Sequence, residues 1–138
     1  MPKIAKIEIT SLEYILDAGK GYGNARGVNN RRNCSLIKLT TDDGVVGLGD
    51  AAGPLGVIRE YVKLLAPIFA GRGLYDFDIA ASEIRNRMYH FGSQGHFIAA
   101  LGGINIAAFD AMGKTLGIPV HDLLGGRNPR KQIGRAHV

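Results

Sequence analysis

Apolar and polar positions along the chain follow two rhythms, and the change between them divides the molecule. From Lys3 to Leu16, Ile7 and Ile9 fall on one phase of a two-residue alternation and Leu12, Tyr14 and Leu16 on the other. This predicts a strand with a bulge near Ser11. Asn33 to Thr41 reads as a second strand, Asp42-Asp43-Gly44 as a turn and Val45 to Gly49 as a third strand; Asp-Gly between β-rich runs is a strong hairpin signal. The rhythm then becomes helical. Ile58, Val62 and Leu65 share one side of a helix predicted over Val57 to Phe69, which Pro67 should close or kink. Asp76 to Tyr89 predicts another helix, with Asp76 or Asp78 as its cap and Ile79, Glu83 and Arg87 on neighbouring turns. Strands first and helices afterwards indicate an α+β fold, a three-stranded antiparallel β-meander followed by a helical bundle.

The stretch around which the rest is organised runs from Phe97 to Gly126, FIAALGGINIAAFDAMGKTLGIPVHDLLGG. Phe97, Ile98, Leu101, Ile104, Ile106, Phe109 and Met112 make its first part apolar on almost every side, the mark of a helix buried inside a domain. Asp110 and Lys114 stand four apart with the acid N-terminal, the favourable order for a helical pair. Gly117 and Pro119 supply the stop, and a short turn from Val120 to Leu124 ends at Gly125-Gly126. A small-residue helix carrying Asp and Lys, then Gly-x-Pro, then Leu-Leu-Gly-Gly, resembles the end of the N-terminal capping domain in the mandelate racemase and muconate lactonizing group of the enolase superfamily. With the first strands included, the resemblance covers Ile4 to Gly126.

Composition narrows the picture. The 138 residues suffice for one domain with a real core, and 46% hydrophobic residues with 21% charged ones match a soluble globular protein. The formal charge is +5, but the basic residues are scattered, with Arg26, Arg31 and Arg32 the densest group away from the C-terminus. That pattern reads as a solvated surface rather than a nucleic-acid patch. Cys34 is the one cysteine, on a predicted strand, which fits a reducing cytoplasm and a buried thiol. MPKIAKIEI carries no signal-peptide pattern, and no apolar run approaches the roughly 18 residues of a membrane span.

Several motifs fail on inspection. Lys20-Gly21-Tyr22-Gly23 opens like an RNA-recognition strand, but Asn24 and Ala25 stand where an aromatic and a valine belong. Gly113-Lys114-Thr115 has Ala108 in place of the first P-loop glycine, and its surroundings are helical. His90, His96, His121 and His137 have no metal-ligand spacing, and there is no Gly-x-Ser-x-Gly elbow.

The resemblance implies the chemistry. Enzymes of this superfamily abstract a proton α to a carboxylate, with magnesium and a Lys or His base placed on the strands of a (β/α) barrel. None of those positions falls in this chain, so the expectation is no catalytic residue, no metal ligand and no cofactor here, with magnesium in the intact parent. The capping role belongs to two loops, those after the first and third strands. They correspond to Asp17 to Arg32, a glycine- and asparagine-rich segment expected to be long and mobile, and to Asp50 to Gly56. Tyr22, Asn24 and Arg26 offer an aromatic wall, an amide and a cation suited to the hydroxyls and carboxylate of a sugar acid or lactone. Asp50 in Gly47-Leu48-Gly49-Asp50 stands where Gly-x-Gly-Glu is common in the family, so a contact carried over from that glutamate reaches a shorter acid.

The Tyr22-Gly-Asn-Ala-Arg run and the Arg31-Arg32 pair look most like the branch that dehydrates or cycloisomerises sugar acids; a racemase or a muconate-type cycloisomerase shares the scaffold. A stand-alone small-molecule or protein-binding module using the same loops is the competing class, and a basic nucleic-acid-binding protein a third. On the favoured reading residues 1–128 are the capping domain and 129–138 begin a linker to a barrel that is missing. The expected partners are a small carboxylate substrate and that barrel, with no nucleic acid and no membrane, in a parent expected to be a homo-oligomer. One way to encode Ile133 to Val138 is ATC GGA AGA GCA CAC GTC, which reads like a sequencing-library adapter, so residues 133–138 are expected to be a non-native tail. Helices lacking their barrel should expose an apolar patch and cause self-association.

Overall fold

The computed structural model describes residues 1–127; the linker and tail expected over 129–138 lie outside the described residues. Five strands precede the helices. β1 (Ile4–Ile15), β4 (Arg31–Thr41) and β5 (Val46–Ala51) form an antiparallel sheet in the order β1-β4-β5, the expected meander. Between β1 and β4 the chain makes a separate small hairpin, β2 (Tyr22–Asn24) and β3 (Gly27–Asn29). The helices follow as α1 (Leu55–Phe69), α2 (Phe77–Arg87), α3 (His96–Leu116) and the single turn α4 (Val120–Leu123), with 3-10 turns at Leu74–Asp76 and Tyr89–Phe91.

The sheet buries one face. On β4 the odd positions Ser35, Ile37, Leu39 and Thr41 are buried, while the even ones are half-buried or exposed, which is the alternation a one-sided sheet demands. Helices α1 and α3 cover that face. Ile58, Val62, Leu65 and Phe69 of α1 lie in one core with Ile4, Ile37 and Leu39, and Phe77 of α2 stacks on Phe69 with ring centroids 4.8 Å apart. Pro67 sits in the last turn of α1, which ends two residues later, so it closes the helix as expected. Asp76 holds the cap position of α2 without a side-chain cap hydrogen bond, and Ile79 faces solvent; Phe77, Ala80, Ala81 and Ile84 form the inward face instead.

Helix α3 meets the sheet through bare backbone. A Cβ on Gly47 would overlap the Ala107 carbonyl, one on Gly49 the Gly103 carbonyl, and one on Gly103 would reach the Asp50 carbonyl at 2.8 Å. The glycines of Gly47-Leu48-Gly49 are therefore a packing requirement, because only hydrogen fits between strand and helix. The seam is also stapled at its rim. Leu48 N–H donates to Asp110 Oδ2 at 2.8 Å, and Lys114 Nζ donates to the Val46 carbonyl at 2.9 Å and to Asp110 Oδ2 at 2.7 Å. The pair that sequence spacing places on one helix face thus occupies backbone groups on the outer edge of β5. Gly117 ends α3 at φ 68°, and the Ile118 N–H returns to the Gly113 carbonyl at 3.0 Å.

Three expectations change. The bulge lies between Ile4 and Lys6, not near Ser11, because Ile4 is drawn aside by hydrogen bonds with Arg72 and Gly71. The switch of phase at Leu12 needs no bulge: β1 has run past the core there, and Leu12 and Tyr14 on one phase and Ile15 on the other are all exposed. Helix α3 is 21 residues long and contains an 18-residue stretch of mean hydropathy 1.2, long and apolar enough to cross a membrane, which the interrupted apolar runs of the sequence do not suggest. It serves as the core helix, with 56% of that stretch buried inside the domain. It is not enclosed on all sides either, since Ile106 remains 50% exposed.

Candidate functional site

Beyond Ser35, β4 loses β5 as a neighbour and continues with β1 alone, as a two-stranded ribbon running to the Ile15–Arg31 pair. The glycine- and asparagine-rich segment caps this ribbon. Much of it, expected to be a long loop, is the β2–β3 hairpin, with Tyr22 opposite Asn29 and Asn24 opposite Gly27, and its last two residues, Arg31 and Arg32, already belong to β4. Ala25 and Arg26 form the two-residue tip, and Asn24 Oδ1 accepts the Arg26 N–H at 2.9 Å, an Asx-type contact that holds the turn. The signal in the sequence was the Asn and Gly three apart around that pair; the surrounding glycines masked it.

Tyr22 is engaged on two sides. Its hydroxyl donates to the Arg31 carbonyl at 3.1 Å, and the Arg32 guanidinium carbon lies 3.4 Å from the ring centroid, a cation–π stack. Arg31 in turn reaches both carboxylate oxygens of Glu13 at 3.2 Å. Sequence reasoning paired neither Arg32 with Tyr22 nor Glu13 with Arg31, because only the strand and hairpin pairing brings each of these pairs together.

Asp50 sits in strand β5, not in the following loop, one residue before the strand ends at Ala51. It faces Leu36 of β4, which faces Thr10 of β1. From Leu36 to Arg31 is five residues, roughly 17 Å of strand at about 3.3 Å each. The four predicted residues therefore share one end of the sheet in two groups: Tyr22, Asn24 and Arg26 at the far tip, Asp50 at the ribbon's root. The turn after β5 is crowded there, since a Cβ on Gly53 would stand 2.9 Å from Nδ1 of His96, the first residue of α3.

Among the described residues no three of His, Cys, Asp or Glu gather where they would hold a metal ion, so these residues do not fit a magnesium site. The clearest electrostatic perturbation is structural. Burial would push the Asp110 carboxyl up, but the hydrogen bonds from Lys114 and the Leu48 amide, with the Lys114 charge, outweigh it and hold the group below its ordinary value of 3.8. Two apolar hollows lie elsewhere: about 530 Å³ between α1 and the Tyr89–Phe91 turn, bordered by Val57, Tyr61, Leu64 and Phe91, and about 380 Å³ beside α3, bordered by Leu48, Ile106, Phe109 and Leu124. Neither includes the four predicted residues.

This arrangement, a three-stranded sheet under a buried helix with its loops gathered at one end, defines an enolase-type N-terminal domain. The chain belongs to the family described as mandelate racemase / muconate lactonizing enzyme, N-terminal domain, which matches residues 20–125. A D-galactonate dehydratase family member from Paenibacillus sp. (strain JDR-2) is 34% identical over 106 residues, 72% of this chain and 26% of that protein. D-galactarolactone cycloisomerase from Agrobacterium fabrum is 30% identical over 125 residues, 91% of this chain and 32% of that protein. Among solved structures, the 3,6-anhydro-D-galactonate cycloisomerase from Zobellia galactanivorans superposes with a TM-score of 0.77 at 31% identity, covering 90% of this chain and 32% of that one. A mandelate racemase/muconate lactonizing protein from Paracoccus denitrificans, complexed with magnesium, gives 0.70 at 29% identity, covering 91% of this chain and 31% of that one. The chain thus spans between a quarter and a third of the length of these relatives.

Proposed function

We propose that residues 1–128 are the substrate-capping domain of a magnesium-dependent, cytoplasmic enzyme that abstracts a proton α to the carboxylate of a sugar acid and leads to dehydration or cycloisomerisation. The observation that carries this reading is that the hairpin and Asp50, although roughly 17 Å of strand apart at about 3.3 Å per residue, lie toward the same end of the sheet, in a chain whose curated relatives include both a dehydratase family member and a cycloisomerase. On this reading the base and the metal-binding acids belong to a barrel outside these residues, and the chain alone neither turns over a sugar acid nor binds magnesium tightly.

The capping residues have distinct parts. With its Oδ1 taken by the Arg26 N–H, Asn24 has its NH₂ left to offer, and Arg26 presents its guanidinium at the exposed tip. Both are donors, suited to carboxylate or hydroxyl oxygens. Asp50 is an acceptor suited to hydroxyl protons. Loops closing over the substrate exclude water, which strengthens each of these contacts and protects a carbanion-like intermediate from stray protons.

The test uses the complete gene and a panel of aldonic and aldaric acids with magnesium. Arg26→Ala in the complete enzyme is expected to raise KM about tenfold with little change in kcat, the pattern for a contact made equally in ground and transition states. Turnover by the 138-residue chain itself would overturn the capping reading.

A further inference from the structure

We infer that Arg32 is a positioning residue that latches the β2–β3 hairpin to the β1–β4 ribbon. The ribbon has left the core at this point, so the hairpin has no buried apolar side chain to anchor it: all six residues of β2 and β3 are exposed, Val28 to 81%. A hairpin that small is not stable by itself in water. At its base the Arg31 N–H donates to Asn29 Oδ1 at 2.9 Å and the Leu16 N–H to the Asn30 carbonyl at 2.7 Å, and the side-chain contacts that hold it beyond these run through one ring. Arg32 stacks on Tyr22 at 3.4 Å, the Tyr22 hydroxyl donates to the Arg31 carbonyl at 3.1 Å, and the Arg31 side chain is tied to Glu13 on the opposite strand.

The register explains the division of labour. Arg32 faces Tyr14 directly across the ribbon, so its guanidinium lies on the face that carries Tyr14, whereas Glu13 and Arg31 sit on alternate positions and project to the other face. One face thus grips the hairpin while the other stiffens the ribbon. The planar guanidinium matters as much as its charge, because a flat cation can lie parallel to a ring whereas an ammonium cannot. The functional weight of the latch rests on the capping reading: it fixes the direction in which Asn24 and Arg26 point.

The experiment is NMR and amide hydrogen exchange on the 138-residue chain. In the wild type the Arg32 δ-methylene protons are expected upfield of their usual position through the Tyr22 ring current. Arg32→Ala is expected to speed exchange across Tyr22 to Asn29 about three- to tenfold, with core amides such as Ile37 and Leu39 unchanged. Arg32→Lys should rescue only partly, Tyr22→Phe should keep the ring-current shift, and Tyr22→Leu should abolish it. Ordinary Arg32 shifts in the wild type, or hairpin exchange indifferent to Arg32→Ala, would overturn the latch. The two readings fail separately: a latch that passes these tests in a parent whose KM ignores Arg26→Ala stands while the capping assignment falls.

Discussion

At the scale of single residues, the contact of α3 with β5 makes the sharpest demands. Gly102 and Gly103 are neighbours on the same helix, yet a Cβ on Gly102 meets nothing within 4 Å whereas one on Gly103 comes within 2.6 Å of the Ile37 side chain and 2.8 Å of a backbone carbonyl. Gly103→Ala is therefore expected to destabilise the fold by about 2 kcal/mol or more through overpacking, and Gly102→Ala to stabilise it by roughly 0.5–1 kcal/mol through helix propensity. Denaturant unfolding of both variants checks the opposite signs. Asp110 supplies a second test. Asp110→Ala removes one acceptor from two donors, the Leu48 amide and Lys114, and is expected to cost about 1–2 kcal/mol. Because the folded carboxyl titrates below its ordinary 3.8, its contribution is complete above that pH and fades as acid carries the group through its lowered folded value. Stability of the wild type and Asp110→Ala measured between pH 6 and pH 2 should converge at the acid end.

At the scale of elements, the sequence was legible wherever burial imposed a period. The one-sided alternation of β4 and the Ile58, Val62 and Leu65 stripe of α1 follow from which side faces the core, and the Gly117 stop of α3 from a left-handed backbone that glycine adopts freely. Elements that leave the core lost that signal. Leu12, Tyr14 and Ile15 obey no inward phase because the ribbon has no inside, and the β2–β3 hairpin is held by an aromatic, an arginine and a turn amide rather than by buried side chains. The same reason limits the candidate site. Residue types named Tyr22, Asn24, Arg26 and Asp50, but only strand pairing shows that three ride one hairpin while the fourth stands in β5, some 17 Å of strand away at about 3.3 Å per residue. The apolar circumference of α3 misled in the other direction, since Ile106 is 50% exposed and, with the half-buried Phe109 that also packs on the core, borders a hollow beside Leu48 and Leu124.

At the scale of the whole molecule, apolar surface lies on two sides: around Val57, Leu64 and Phe91 by α1, and around Leu48, Ile106 and Leu124 by α3. Clustered apolar side chains of this kind favour association with another surface. The 138-residue chain is expected to self-associate as its concentration rises, and sedimentation or light scattering across a hundredfold range checks it; a clean monomer throughout would contradict the expectation. The staple formed by Asp110 and Lys114 also has a topological result. It occupies two backbone groups on the outer edge of β5, the Leu48 N–H and the Val46 carbonyl, so an incoming strand is blocked along that stretch, whereas β4 from Arg31 to Cys34 has no β5 partner and stays open to strand addition on the same flank.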